Sequence, residues 1–422
     1  MSNTTRIGIA VSAAVLMMLG DVPAHSQSEL QAIAQPETKM PRAARKHVRS
    51  AKIPLKSSSE FGGPLPGLTD AQLDAFVEGV EEFQNEDSAE SGLGPTFNDV
   101  SCAACHSDPA IGGSSIKFVT RFGREINGLY DPLVDLGGSL LQAQAIDPQV
   151  QELVPKEATL VIHRRTTPLF GFGLIEAISD WSILQNAAKN NDPETKGHPS
   201  IITDVVSGQE RVGRFGWKSQ QATLLAFAAD AYLNEMGITS RFFPNENAPN
   251  GNMGLLKKYD TVADPEDEVD PKTGRSDIDV FADFMRFLNA PPTVALTKSA
   301  KAGQQQFATV GCATCHTPFM VTGVNSIRAL NRKIVPLYSD LLLHDMGSLG
   351  DGIAQSDAGP EEMRTAPLWG LRGQPMFLHD GRATTVDSAI RMHDGQAAGA
   401  RDRYIKLQPA QQQQLLEFLN SI

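Results

Sequence analysis

The four cysteines of this chain occur as two copies of one short pattern. Residues 102–106 read CAACH and residues 312–316 read CATCH, so each copy holds two thiols three positions apart and a histidine directly after them. C-x-x-C-H is the attachment signature of haem c, in which the thiols add to the two vinyl groups of one haem and the histidine binds its iron. Two short disulfides would leave the histidines without a role, and the long separation of the two pairs disfavours a shared zinc site. The predicted haem-binding residues are Cys102, Cys105 and His106 for the first haem and Cys312, Cys315 and His316 for the second.

Composition narrows the range of partners. The net charge of the 422-residue chain is −12, which argues against a nucleic-acid partner because such a partner requires a basic surface. Hydrophobic residues make up 41% of the chain, enough for a buried core. These values fit a protein that meets small molecules or a basic redox partner.

The N-terminal residues predict export. Arg6 precedes an apolar run, Ile7 to Leu19, and Ala24-His25-Ser26 resembles a cleavage site. We interpret residues 1–26 as a secretory signal peptide, with an uncleaved anchor as the alternative, and we expect a periplasmic protein. No later stretch reaches 18 consecutive apolar residues, so we expect no membrane span in the mature protein. Residues 27–60 are basic and poor in large apolar side chains, which predicts a disordered linker.

A repeat in the remaining sequence predicts the architecture. Each haem motif follows a G-x-x-x-F pattern, at residues 79–83 and 303–307, and each half ends in an apolar stripe with helical spacing, near residues 281–288 and 415–422. Thr69 with Gln72 is a capping box that begins the first helix. We therefore predict a mostly α fold of two cytochrome c-like haem domains with long loops, at residues 61–292 and 293–422. The first carries a large insertion, roughly residues 110–275, whose acidic loop Asp264–Asp270 is either a solvated loop or a calcium site.

Several longer segments carry a family resemblance. They read GLGPTFNDVSCAACH, TTPLFGFGLIEAI, GRFGWKSQ, GCATCHTP, SDLLLHDMG and FLHDGRATTVDSAIRMHDGQA, and together they run across most of residues 60–422. This set resembles bacterial dihaem c-type oxidoreductases of the thiol oxidoreductase-like group, relatives of dihaem cytochrome c peroxidase and of MauG. The resemblance implies a helical, loop-rich two-domain fold and peroxidase-like redox chemistry. It implies no particular substrate.

The resemblance also implies a second axial ligand for the C-terminal haem. In the peroxidase relatives this ligand follows an FHDG-like motif, and here His393 lies in the matching place after FLHDGR. Met392 is the neighbouring alternative, and His344 and Met346 rank behind it. We expect His379 to be structural, holding the haem edge or a propionate.

The N-terminal haem is predicted to differ. The dihaem peroxidases that this chain resembles have a distal histidine soon after the first motif, but this chain has none between His106 and His163. The first haem is therefore either open or bound by His163. Cleavage of peroxide requires a general acid–base and a polar group that stabilises the departing oxygen. Glu176 is the candidate for the first role and Arg165 for the second, although both could instead pair with haem propionates or with each other. Trp217 could lie on an electron path between the haems, but we expect it to pack in the core.

Two functions remain open at this stage. The first is an enzyme that reacts with peroxide or O₂ at the N-terminal haem, while the C-terminal haem relays electrons from a partner such as a small cytochrome or cupredoxin. The second is a pure electron carrier with both haems six-coordinate. The inserted loops and the missing distal histidine favour the enzyme.

Overall fold

The structure, a computed structural model, describes Ser57 and residues 60–422. The predicted signal peptide and nearly all of the predicted linker lie outside the described residues. Those that are described belong to one compact unit, Pro54–Ile422. The division into two haem domains at Pro291–Pro292 stays a prediction.

The helices of the described residues are α1 Asp70–Phe83, α2 Phe172–Glu176, α3 Asp180–Lys189, α4 Leu224–Met236, α5 Met253–Tyr259, α6 Asp277–Phe287, α7 Lys298–Thr309, α8 Val386–Arg391, α9 Ala398–Ile405 and α10 Pro409–Leu419. The strands are β1 Thr96–Phe97, β2 Phe118–Ile126, β3 Leu129–Asp131, β4 Leu140–Leu141, β5 Gln144–Ala145, β6 Leu160–Arg165, β7 Ile201–Thr203, β8 Glu210–Val212, β9 Met320–Val321, β10 Ile334–Val335, β11 Leu343–Asp345 and β12 Glu362–Arg364. None of the described helices is long and apolar enough to cross a membrane.

The mostly α prediction is not confirmed, because the described residues are about 34% helical and 14% strand. Much of the strand content lies in the predicted insertion, where β2 pairs with β3, β4 and β6. The register of β2 and β6 places Thr120 opposite His163 and Phe122 opposite Val161. Aromatic and β-branched residues favour a pleated, half-buried surface, and β2 is rich in them. The prediction treated this segment as loop and so missed the sheet.

The repeated G-x-x-x-F pattern has a structural cause. Gly79 of α1 lies against α6, where an added Cβ would be 2.6 Å from the Cβ of Phe284. Gly303 of α7 lies against α10, where an added Cβ would overlap the carbonyl oxygen of Gln414. Each glycine therefore allows two helix backbones to approach closely. The phenylalanine of each repeat packs one turn further along, as in the pair Phe83 and Phe284, whose ring centroids are 4.6 Å apart.

Two apolar clusters form the core. The larger surrounds α1, α4 and α6, and the smaller surrounds α7 and α10. The larger cluster also contains Leu330, Val335 and Trp369, so the chain after Pro292 contributes to both.

Candidate haem sites

The second attachment motif holds its histidine in the orientation that iron binding requires. Residues Cys312–Thr314 form a 3₁₀ turn, and the His316 backbone N–H donates to the Cys312 carbonyl at 2.9 Å. Nδ1 of His316 lies 2.9 Å from the Tyr338 carbonyl oxygen. Burial lowers the pKa of His316 to about 4, so the ring is neutral near pH 7. With its Nδ1 proton on a carbonyl, the imidazole keeps the Nε2 lone pair for a metal.

His393 faces His316 across a short gap. The two ring centroids are 6.5 Å apart. Two imidazoles that hold one metal from opposite sides, each through a bond of about 2 Å, have centroids about 6 Å apart. Nδ1 of His393 lies 2.8 Å from the carbonyl oxygen of Ala389 in α8, so its Nε2 is also left for a metal. The assignment of His393 as axial ligand stays a prediction, and this spacing supports it.

The alternative ligands differ in their surroundings. Met392 is 38% exposed. His344 uses both ring nitrogens, with Nε2 at 2.9 Å from Asp340 and Nδ1 at 3.0 Å from Gln396. Burial opposes protonation of His344, but the hydrogen bonds with Asp340 and with the Cys315 thiol outweigh it and raise the pKa to about 10. Met346 lines the same cavity as His316.

A cavity of about 1010 Å³ adjoins the second motif. This volume is at the upper end for ligand sites in proteins. Its wall includes Cys312, Cys315, His316 and His393, and apolar side chains such as Phe377. A large cavity with two facing imidazoles and two thiols at its edge fits a covalently attached haem.

The first motif repeats the proximal arrangement. The His106 backbone N–H donates to the Cys102 carbonyl at 3.0 Å, and Nδ1 of His106 lies 3.1 Å from the Gly113 carbonyl oxygen. Burial lowers the pKa of His106 to about 4. The ring centroids of Phe83 and His106 are 6.0 Å apart, and those of Phe307 and His316 are 6.5 Å apart. The residues present therefore fit a second attached haem.

The distal side of the first motif differs from that of the second. Among the described residues, no histidine ring makes contact with that of His106. His163 is exposed, and its Nδ1 is 3.2 Å from Thr120 Oγ1 on the neighbouring strand. An open first haem and a His163-bound one both stay predictions.

Glu176 ties three helices together. As the last residue of α2 it accepts a hydrogen bond from the Leu224 backbone at the start of α4, at 2.8 Å. It also accepts one from Arg286 Nε of α6, at 3.0 Å. It lines neither of the two described cavities. The acid–base role of Glu176 stays a prediction, and these contacts give the carboxylate a structural task as well.

Arg165 lies between the two motifs rather than beside Glu176. Its side chain is buried and lines the same large cavity as His316. Its Nη2 donates at 2.8 Å to Ser114 Oγ, in the loop that follows the first motif. The predicted role of Arg165 at the first haem stays a prediction, because none of its contacts tests that role. The sequence did not predict that Arg165 lines the cavity at the second attachment motif.

Two further residues were missed by the sequence analysis. Trp217 was expected in the core, yet it is half-buried and lines both the large cavity and a second one of about 50 Å³. The smaller cavity also includes Asp108 and Thr167, which lie beside the first motif. Arg364 lines both cavities too. Trp217 belongs to the segment GRFGWKSQ, which carries part of the family resemblance. Its residue type alone does not distinguish a core position from a cavity wall.

An acidic cluster lies apart from both motifs. Carboxylate oxygens of Glu246, Asp264 and Glu266 all lie within 4.8 Å of one another. Glu246 Oε1 is buried without a hydrogen-bond partner. Burial and the charges of Glu266 and Asp264 raise the pKa of Glu246 to about 10. Two of the three residues belong to the predicted acidic loop, whereas Asp267 of that loop instead accepts hydrogen bonds from the first residues of α6.

Comparison with known proteins identifies the family. Residues 140–422 match the family described as "Di-haem oxidoreductase, putative peroxidase". The chain belongs to this family. The match includes the second attachment motif and begins after the first. Membership confirms the predicted resemblance, and it assigns the chain two haems and an oxidoreductase function in general.

Solved structures give weaker similarities. One is hydrazine synthase of Kuenenia stuttgartiensis, with 14% identity, a TM-score of 0.40, and coverage of 96% of this chain and 100% of that chain. Another is a MauG-like protein associated with microbial copper homeostasis, with 14% identity, a TM-score of 0.38, and coverage of 88% and 95%. A third is a variant of the dihaem peroxidase BthA from Burkholderia thailandensis, with 14% identity, a TM-score of 0.38, and coverage of 85% and 86%. No curated protein matches the chain.

Proposed function

We propose that this protein is a periplasmic dihaem c-type oxidoreductase with peroxidase-like activity. In this proposal the N-terminal haem is the reactive one, reducing peroxide or using peroxide or O₂ to oxidise a substrate. The C-terminal haem relays electrons. The observation that carries the proposal is an asymmetry: the ring of His393 faces that of His316, with centroids 6.5 Å apart, whereas among the described residues no histidine ring is in contact with that of His106.

The residues at the two attachment motifs support different roles for the two haems. Haem bound at the first motif supplies an iron whose free face can take a small oxidant. His316 and His393 would fill both faces at the second motif, which suits electron transfer because the coordination changes little. A small cytochrome or cupredoxin is the proposed donor. Trp217 adjoins both cavities and donates its Nε1–H to the Arg165 carbonyl at 3.0 Å, so its indole is a candidate step on the electron route.

The alternative is a pure electron carrier with two six-coordinate haems. His163 bound to the first iron would produce it. Optical and electron paramagnetic resonance spectra of the isolated protein distinguish the two, because they count high-spin haems directly. We expect one high-spin and one low-spin haem per chain. Two low-spin haems would favour the carrier.

The predicted role of Glu176 is testable by substitution. If Glu176 transfers the proton during peroxide cleavage, E176Q should slow peroxide turnover by about 10²-fold or more with haem content intact. D283N is the matched control, because Asp283 also binds Arg286 and lacks a predicted role in catalysis. Equal turnover in E176Q, D283N and the wild type would leave Glu176 with its structural task alone.

Calcium at the acidic cluster is a further part of the proposal, since carboxylates suit that ion. Burial raises the pKa values of Glu246 and Glu266 above those of free carboxyl groups. The metal-free folded state then holds protons that the unfolded state releases, so its stability should fall as pH rises from about 5 to about 9. Added Ca²⁺ should raise Tm most at the alkaline end. Thermal unfolding with calcium or a chelator measures this effect, and E246Q should abolish it. An unchanged Tm would exclude the site.

A further inference from the structure

Two buried arginines have no carboxylate partner among the described residues. Arg165 and Arg364 are each 3% exposed. Their neighbours Arg164 and Lys218 are buried as deeply, but both reach Asp351, at 2.7 Å and 3.2 Å. A buried cation without an anion is costly. Arg165 and Arg364 are therefore buried cations without a paired anion among the described residues.

The hydrogen bonds of both arginines go to neutral oxygens. Arg165 donates to Ser114 Oγ at 2.8 Å, to Gln374 Oε1 at 2.9 Å and to the Met376 carbonyl, and its Nε is buried without a partner. Arg364 donates through Nε to the Gly216 carbonyl at 2.9 Å and through Nη1 to the Thr365 carbonyl at 3.2 Å. No described residue accepts from its Nη2. Burial lowers the pKa of each arginine to about 10, so both stay charged at neutral pH.

The nearest acidic groups are committed elsewhere or lie in solvent. Asp340 influences Arg364 but pairs with His344 at 2.9 Å. Asp108 influences Arg165 but is exposed. These carboxylates therefore do not neutralise the two guanidinium groups.

Both arginines line the large cavity that also contains His316 and His393. They are linked through one short segment, because Arg364 binds the Gly216 carbonyl and the neighbouring Trp217 Nε1 binds the Arg165 carbonyl. Two positive charges and the tryptophan thus line one cavity. A ligand of that cavity with two carboxylates would complement them.

We propose that Arg165 and Arg364 bind the two propionate groups of the haem at the second attachment motif. The inference rests on the proposed haem at that site. Guanidinium–carboxylate pairs are among the strongest hydrogen bonds in proteins, and haem brings two such carboxylates for two arginines. Arg165 is then a positioning residue of the second haem and does not act on peroxide at the first. The propionate edge of that haem would then lie on the part of the cavity wall that Arg165 and Arg364 form.

The test is the reduction potential of the low-spin haem, measured by spectroelectrochemistry in R165Q and R364Q. Loss of a guanidinium leaves a propionate charge uncompensated, which favours ferric over ferrous iron. We expect each substitution to lower the reduction equilibrium constant about tenfold, equivalent to about 59 mV for one electron. R165K and R364K keep the charge and should recover most of this loss. R382Q is the control, because Arg382 is exposed and pairs with Asp380, and it should leave the potential unchanged.

Unchanged potentials in both glutamine variants would overturn the proposal. If those variants do not fold, a crystal structure of the wild-type haem-loaded protein decides. It should place guanidinium nitrogens of Arg165 and Arg364 within about 4 Å of propionate oxygens, and larger separations would also overturn the proposal. The potential is measured whether or not the protein reduces peroxide. A shifted potential without peroxide turnover would thus reject the proposed function and keep this inference.

Discussion

Replacing His393 by alanine should convert the C-terminal haem from low spin to high spin and create a second binding site for carbon monoxide. His393 faces His316 with ring centroids 6.5 Å apart, and α8 holds it there through the Ala389 carbonyl. Alanine at this position leaves one face of the iron without a protein ligand. Carbon monoxide bound per chain, measured optically on the reduced protein, should rise from one to two.

The neighbouring methionine provides the control for this substitution. Met392 precedes His393 but is 38% exposed, so M392L should keep the wild-type spectrum. If H393A instead keeps the low-spin spectrum, the ligand is another residue. Met346 then becomes the first choice, because it lines the cavity, whereas both nitrogens of His344 are engaged.

Removing the first haem should abolish peroxide turnover. The variant C102S/C105S cannot form the thioether bonds of the first motif, while the second motif stays intact. Intact-mass measurement should find two haems on the wild-type chain and one on this variant. Peroxide turnover and carbon monoxide binding should fall to the background of a haem-free control, because His316 and His393 would fill both faces of the remaining iron.

The complementary variant C312S/C315S tests which of the two haems is the reactive one. It should keep carbon monoxide binding at the first haem while it loses the electron relay. Ligand binding that survives in C102S/C105S and disappears in C312S/C315S would transfer the reactive role to the C-terminal haem. A wild-type protein that binds no carbon monoxide would instead favour the electron carrier.

Features encoded within one turn of chain were predictable from the sequence. The capping box of Thr69 and Gln72 forms at the start of α1. The apolar stripes become α6 and α10. The attachment motifs form the same turn twice, each with its histidine on a backbone carbonyl. In the capping box, the helices and the turns of the attachment motifs the interacting groups are three or four residues apart, so residue type and spacing largely fix the contact. The carbonyl partners of His106 and His316 lie 7 and 22 residues further along the chain and were not predicted.

The insertion shows where such reasoning fails. The insertion is rich in Gly, Pro, Asn and Asp, and this composition led to the prediction of loops, yet β2 and β6 pair within it. β6 obtains its strand hydrogen bonds from β2, which lies about 40 residues earlier in the chain. Composition averaged over the insertion conceals two short strands whose pairing depends on that distant contact.

The sequence by itself determined that the chain carries two haem-attachment motifs and resembles the dihaem oxidoreductases, because covalent chemistry requires thiols and imidazole at fixed spacing. Only the tertiary structure decided which distant side chains meet. It placed His393 opposite His316, paired the carboxylate of Glu176 with Arg286, and brought Arg165 and Arg364 to the wall of one cavity. These residues are separated by between 77 and 199 positions in the chain. Their encounters depend on how helices and loops pack around a common cavity, which no local pattern records.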